Sequence, residues 1–303
     1  MITGSATTDA EIGALRHIDS VTRLAALQSV SIGDTFTLGL PIFHPDGDPV
    51  GTDNFKPVHI VLRDWSDYLD GRAMPLQGGL ASVNDAVMIC NHGTTHVDAL
   101  GHVIVDGVLG GGRPATDSVG GLQSASVAAL GERGVFTRAV IADVAGFLGV
   151  DHLPRRHHIT FEELTATLRA QDVEVGRGDV LIVHTGSLKR FYDEGRQAYF
   201  TDYSEPGLSF EPELVDWFDR TGISGLGTDT LANELPYSPA LNAAYPLHRH
   251  LSFDLGIIFH EALWLDDAIR ACVQDRRWTG LYVCSPLKMR GASGSPVNPM
   301  FIR

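Results

Sequence analysis

The stretch Asn91-His92-Gly93-Thr94-Thr95-His96-Val97-Asp98-Ala99-Leu100-Gly101-His102 gathers three histidines and an aspartate within a few residues of one another. Neutral imidazole and carboxylate are the donors that suit zinc, manganese or iron(II). On a strand or extended loop alternate side chains share a face, so His96 and Asp98 should point the same way. His92 joins them if extended backbone continues back through Gly93, where the missing Cβ relaxes the chain. His102 keeps the same parity further along, a place for a base behind the ligands or for a ligand to a second ion. The plain alternative is a polar turn with solvated histidines. Four candidate donors at this spacing favour a metal or catalytic site.

A site built from His92, His96 and Asp98 needs further ligands or an open position for water. The best distant candidates are His248-Arg249-His250 and His260-Glu261. Glu261 closes the apolar run Leu255-Gly256-Ile257-Ile258-Phe259. A carboxylate at a buried strand end is costly unless it is paired or bound to a cation. An exposed loop glutamate is the alternative.

These residues need a scaffold, and the chain has ample length for one. It has 303 residues, 44% hydrophobic and 20% charged, with 33 glycines and 15 prolines, an ordinary globular composition. The net charge of −14 argues against nucleic acid and against an anionic membrane surface. Cys90, Cys272 and Cys284 are too few and too scattered for a disulfide framework. Cys90 is expected to be a buried strand thiol rather than a soft ligand. No basic region with an apolar core opens the chain and no run of ~18 apolar residues occurs, so a cytoplasmic protein with no signal peptide or membrane span is expected.

Helical spacing is seen in Ala10–Leu15 and Val21–Val30, so residues 1–30 read as an N-terminal helical extension. Strands are expected at Asp34–Leu40, His59–Arg63, Ala86–Cys90, Gly134–Val144, Val180–Val183 and Trp278–Cys284. Helices are expected over Leu164–Ala170, opened by a Thr160/Glu163 capping box, and over Glu211–Asp219. The loop Pro41–Pro57 carries Phe43, His44 and Phe55, and Trp65 follows the next strand. Such loops often line pockets, with surface packing an even alternative. Gly110-Gly111-Gly112 lacks the context of a phosphate loop. The fold class is α/β, with a mixed sheet in a single domain over 1–303.

The histidine stretch resembles the signature HxGTHxDxPxH of the cyclase family, metal-dependent hydrolases that include bacterial kynurenine formamidase and isatin hydrolase. Two departures are visible: the glycine is one place early, at Gly93, and Leu100 replaces the proline. His248-Arg249-His250-Leu251-Ser252, then Gly256, then Glu261 is similar to the family's HRxLL…G…E. Gly178-Asp179-Val180-Leu181-Ile182-Val183-His184-Thr185-Gly186 is similar to GDxxLxRTG, with His184 where the family often has arginine. Pro206-Gly207-Leu208, Gly227-Thr228-Asp229-Thr230 and the tail from Pro286 to Pro299 also match. The resemblance covers roughly residues 30–300.

The resemblance implies a swivelling β/β/α fold. It implies that His92, His96 and Asp98 hold one metal, that Asp98 and Glu261 bridge to a second bound by His248, and that His102 is the general acid/base. One or two zinc or manganese ions per subunit are implied. His250 and His260 do not match the pattern and read as structural or as supports to the ligands. The implied reaction is hydrolysis of a C–N bond in an aryl formamide or a cyclic amide, with Phe43, His44 and Trp65 as substrate-binding candidates. A homodimer or homotetramer is implied. Two other classes stay open: a metal-dependent cyclase or lyase of secondary metabolism, and a non-catalytic small-molecule binding protein. The glycine/serine tail could offer N–H groups to an anion or be a plain loop. A serine hydrolase is excluded, because no GxSxG elbow occurs.

Overall fold

The structure is a computed structural model and describes residues 8–45, 47–49, 55–201 and 203–303. The first residues of the expected N-terminal extension, and residues 46 and 50–54 of the loop Pro41–Pro57, lie outside them.

The strands of three or more residues among the described residues are β1 (Thr35–Thr37), β2 (Val58–Arg63), β3 (Asn84–Met88), β4 (His96–Asp98), β5 (Val135–Asp143), β6 (Val180–His184), β7 (Gly225–Thr228), β8 (Ile258–Glu261), β9 (Thr279–Cys284), β10 (Gly294–Pro296) and β11 (Met300–Ile302). Among the described residues nine of these form one mixed sheet in the order β1-β11-β9-β5-β6-β7-β8-β4-β10. Its centre, β5 to β8, is parallel. Its flanks are antiparallel. The sheet is thus α/β and mixed, as the sequence pattern implies.

A parallel centre must be covered on both faces, so β5 and β6 carry continuous apolar runs, Ala139–Ala142 and Val180–Val183. Along β6, Val180 and Ile182 enter one core cluster while Leu181 and Val183 enter the other. The first face packs against α3 (Val127–Arg133) and α7 (Asp266–Asp275), through residues such as Leu130, Ile269 and Cys272. The second packs against α4 (Phe161–Ala170) and α6 (Pro212–Thr221), through Leu164, Leu168, Leu214 and Phe218. The remaining helices used below are α1 (Ser20–Leu27), α2 (Trp65–Leu69) and α5 (Ser187–Glu194). Ile12, Leu15 and Ile18, ahead of α1, belong to the first core cluster.

Several local expectations are corrected. Thr160 caps α4 by accepting from the Glu163 N–H at 3.1 Å, but the Glu163 carboxylate meets His157 Nε2 at 2.9 Å instead of closing a capping box. The strand expected at Ala86–Cys90 is β3, which ends at Met88. Cys90 is therefore outside the strand and half-buried, because β3 pairs only with β2 as a ribbon apart from the main sheet and every residue of both strands is exposed. No helix among the described residues is long and apolar enough to cross a membrane.

Candidate metal centre

The site forms where the last strands of the sheet meet. β4 lies antiparallel to β8, which puts His96 directly across from Glu261. β10 pairs with the other edge of β4, placing Gly294 opposite Asp98. The alternation expected for His96 and Asp98 holds, since both sit on β4 and both are buried. The extended run does not continue back to His92, which stands in a turn closed by the Gly93 N–H to the Cys90 carbonyl at 2.9 Å. That turn still delivers the ring: His92 Nδ1 is 2.9 Å from Asp98 Oδ1. His102 lies on a single 3-10 turn, and its exposed ring stacks on His92 with centroids 4.3 Å apart.

The distant candidates arrive as well. His248 opens a π-helical segment, His248–Asp254, that precedes β8. Its Nε2 is 3.9 Å from Asp98 Oδ2 and 3.7 Å from Glu261 Oε1. His96 Nε2 is 3.4 Å from Asp98 Oδ1 and 3.2 Å from Glu261 Oε2. Two donor sets therefore share Asp98: His92, His96 and Asp98, and Asp98, His248 and Glu261, each with ligand atoms within 4.8 Å of one another.

The donor set fits a divalent cation. His96 Nε2 and Asp98 Oδ1 are buried and make no well-aligned hydrogen bond, although His92 Nδ1 stands 2.9 Å from Asp98 Oδ1, and His96 Nε2 3.4 Å from it and 3.2 Å from Glu261 Oε2. Buried polar atoms are rarely left in that condition unless something else binds them. The site calls for positive charge. Burial opposes a charge on His96, yet the carboxylates of Asp98 and Glu261 outweigh it and push its pKa up to about 10. His248 is likewise raised to about 9, against burial, by Glu234, Glu261 and Asp98. Burial and the neighbouring Asp98 raise Glu261, whereas the surrounding imidazoles hold Asp98 well below the usual carboxylate range despite its burial. The tautomers also suit ligation. His96 Nδ1 faces the Thr94 carbonyl at 2.8 Å, leaving Nε2 to point into the group.

Several supports were not legible in the sequence. Ser293 Oγ lies 3.0 Å from His92 Nε2. A Cβ on Gly294 would stand 2.6 Å from the His92 ring, so only glycine lets β10 pass this close. The glycine/serine tail is thus the strand that backs the metal motif. Asn233 Nδ2 donates to Glu261 Oε1 at 3.1 Å, and Glu234 receives His248. The tail that carries Ser293 and Gly294 stands out in the sequence only as a glycine/serine segment, and nothing in the type or spacing of Asn233 and Glu234 marks them.

Other candidates lie elsewhere. His260 faces away from the centre, fully buried with Nδ1 3.0 Å from the Tyr282 hydroxyl. His250 meets Asp254 at 3.0 Å. The expected substrate-binding residues are not part of the cluster: Phe43 packs on His59, His44 on Tyr192, and Trp65 on Tyr68. His184, where related sequences often have arginine, lies 2.7 Å from Asp143 Oδ1 and 3.9 Å from Asp229 Oδ2. Burial disfavours its charge, but these carboxylates prevail and raise its pKa, so a cation is favoured at this position too.

Fold and site together define an α/β protein with a buried imidazole–carboxylate centre able to hold a metal ion. The chain belongs to the Cyclase family, whose model matches residues 30–234. The crystal structure of a novel cyclase superposes with a TM-score of 0.86 at 28% identity, covering 97% of this chain and 96% of that one. Isatin hydrolase A from Ralstonia solanacearum gives a TM-score of 0.65 at 18% identity, covering 99% of this chain and 100% of its own. A Bacillus stearothermophilus protein described as a predicted metal-dependent hydrolase gives 0.52 at 17% identity, covering 89% of this chain and 98% of its own. The last two likenesses are of fold alone. No curated protein matches the sequence.

Proposed function

We propose that the protein is a metal-dependent hydrolase that opens the C–N bond of a small aryl formamide or cyclic amide. The observation that carries this reading is the exposed His102 stacked on His92 at the rim of a buried set of three imidazoles and two carboxylates. A structural ion cluster needs no such group at its mouth. When bound, one or two zinc or manganese ions would supply Lewis acidity, polarising a carbonyl and acidifying water.

The chain's own residues do the rest. His92, His96, Asp98, His248 and Glu261 would hold the cation or cations, whose charge would offset the two buried carboxylates. The Asp98 charge favours protonation of His102, but the packing of its ring against the cluster and the imidazoles of His92, His248 and His96 oppose it more strongly and lower its pKa, although the residue still reaches solvent at the rim. A neutral imidazole at the rim can take a proton from the nucleophile and return it to the leaving nitrogen. A cavity of about 550 Å³ lined by Val103, Ile104, Leu241, Tyr245 and Pro246 opens beside His248, the size of site that takes a small molecule. Phe43, His44 and Trp65 remain the proposed substrate-binding residues.

The test is elemental analysis of purified protein, followed by assays on N-formylkynurenine and isatin before and after EDTA. Activity lost on chelation and restored by zinc or manganese is expected, with the products together heavier than the substrate by one water. Turnover with no gain of the mass of water would instead identify a cyclase or lyase. His102→Ala should keep its metal and lose about 10²–10⁴-fold in turnover. A fully active His102→Ala protein would remove the assigned role.

We also infer that the protein is cytoplasmic and a homodimer or homotetramer. The first is supported by the few, scattered cysteines of the sequence, Cys90, Cys272 and Cys284. The second is supported by the exposed β2–β3 arm.

A further inference from the structure

Glu234 is 1% exposed and has a role that the reaction chemistry does not assign. Its Oε1 accepts from the backbone N–H of His248 at 2.7 Å and faces His248 Nδ1 at 2.7 Å. Its Oε2 accepts from the Leu247 N–H, also at 2.7 Å. One buried carboxylate thus grips both the backbone and the ring of a single candidate ligand. The preceding residue does the equivalent for another. Asn233, fully buried and at φ 57°, donates from Nδ2 to Glu261 Oε1 at 3.1 Å.

The segment that carries both is itself fixed. Leu208 and Leu235 bond across it, Leu208 N to the Asn233 carbonyl and Leu235 N to the Leu208 carbonyl. Gly207 approaches so closely that a Cβ there would stand 2.4 Å from the Glu234 carbonyl carbon.

We propose that Glu234 is a positioning residue that fixes the tautomer and orientation of His248, with Asn233 orienting Glu261 in the same way. A carboxylate can only accept at Nδ1, so that nitrogen of His248 carries the proton and the Nε2 lone pair points toward Asp98 and Glu261. Carboxylate partners of this kind raise the basicity of a ligating imidazole, and their loss commonly weakens metal binding about 10–100-fold. The inference rests on the metal reading above.

Cobalt(II) titration of metal-stripped protein, followed by absorption and by competition with a chelator, tests it. Glu234→Gln keeps the size of the side chain and should weaken cobalt binding about 10–100-fold. The melting temperature of the stripped protein checks that the variant is folded. In a His248→Ala background the same change should cost little more, because the two residues act through one contact. Wild-type affinity in Glu234→Gln, or an equal loss with and without His248, would overturn the positioning role alone. A wild-type chain that binds no cobalt would overturn the metal reading, and this inference with it. If Glu234→Gln does not fold, ¹⁵N-histidine spectra of the stripped wild-type protein, recorded above the His248 pKa of about 9 where its ring is neutral and assigned with His248→Ala, decide the matter. A neutral His248 protonated at Nε2 would contradict the proposal.

Discussion

Glu205 is 3% exposed and accepts from the Ser187 hydroxyl at 3.0 Å, the Tyr203 hydroxyl at 2.9 Å, the Leu231 N–H at 2.7 Å, and Tyr199. Burial dominates over these donors and pushes its pKa up from 4.5 to about 7. An acid with a raised folded-state pKa contributes stability that is fully present below pH 4.5 and is lost as pH rises through about 7. The swing is on the order of 3 kcal/mol. Urea midpoints measured from pH 5 to 8 should therefore fall more steeply for the wild type than for Glu205→Gln, and identical slopes would exclude Glu205 as the source. At this scale the sequence singled out residues whose type is itself chemical, and the structure gathers them: His92, His96, Asp98, His248 and Glu261 in one cluster, with His102 stacked on His92. The sequence did not reveal Ser293, Asn233 or Glu234, because a serine, an asparagine and a glutamate in loops are ordinary. Their task consists only of a distance to something else.

Among elements, the strands with the strongest apolar runs were legible almost to the residue. Gly134–Val144 becomes β5 and Val180–Val183 becomes β6, since a strand buried on both faces is written as continuous β-branched sequence. Pairing was not legible. The His59–Arg63 and Ala86–Cys90 patterns do form strands, but with each other rather than with the sheet. A contact between elements also hangs on two glycines. A Cβ on Gly13 would stand 2.3 Å from the Gly256 carbonyl oxygen, and one on Gly256 would stand 2.8 Å from Gly13 Cα, with φ of +53° and +73°. The Ala14 N–H donates to the Gly256 carbonyl at 2.8 Å across this crossing. Gly256 lies between the helical segment bearing His248 and the strand bearing Glu261. Gly256→Ala should lower stability by about 1–3 kcal/mol through backbone strain, with a further loss for the displaced segment. A denaturant midpoint equal to that of the wild type would show that the crossing yields without cost.

At the scale of the whole molecule, the arm formed by β2, α2 and β3 stands out. It exposes Ile60, Val61, Leu62, Trp65, Leu69, Met74, Leu76, Leu80, Val83, Val87 and Met88. A two-stranded ribbon with neither face covered is marginal in water. Between residues 55 and 90, Lys56, Arg63 and Arg72 nearly balance Asp64, Asp67, Asp70 and Asp85, whereas the whole chain carries −14. Two copies meeting through their arms avoid the repulsion that their bodies would feel, and one apolar patch facing its own copy suits a two-fold interface. Sedimentation should show an oligomer at micromolar concentration, and Leu69→Asp with Leu76→Asp should dissociate it to folded monomers; a monomeric wild type would refute the reading. The sequence by itself determined the chemistry on offer and the class of fold, because donor types and hydrophobic periodicity are written locally. Only the tertiary structure decided that His92 reaches the centre from a turn, that His260 faces away while Glu261 faces in, and that Glu234 grips His248. Those outcomes depend on strand pairing and on which face each side chain takes, and both are set by contacts between residues far apart in the chain.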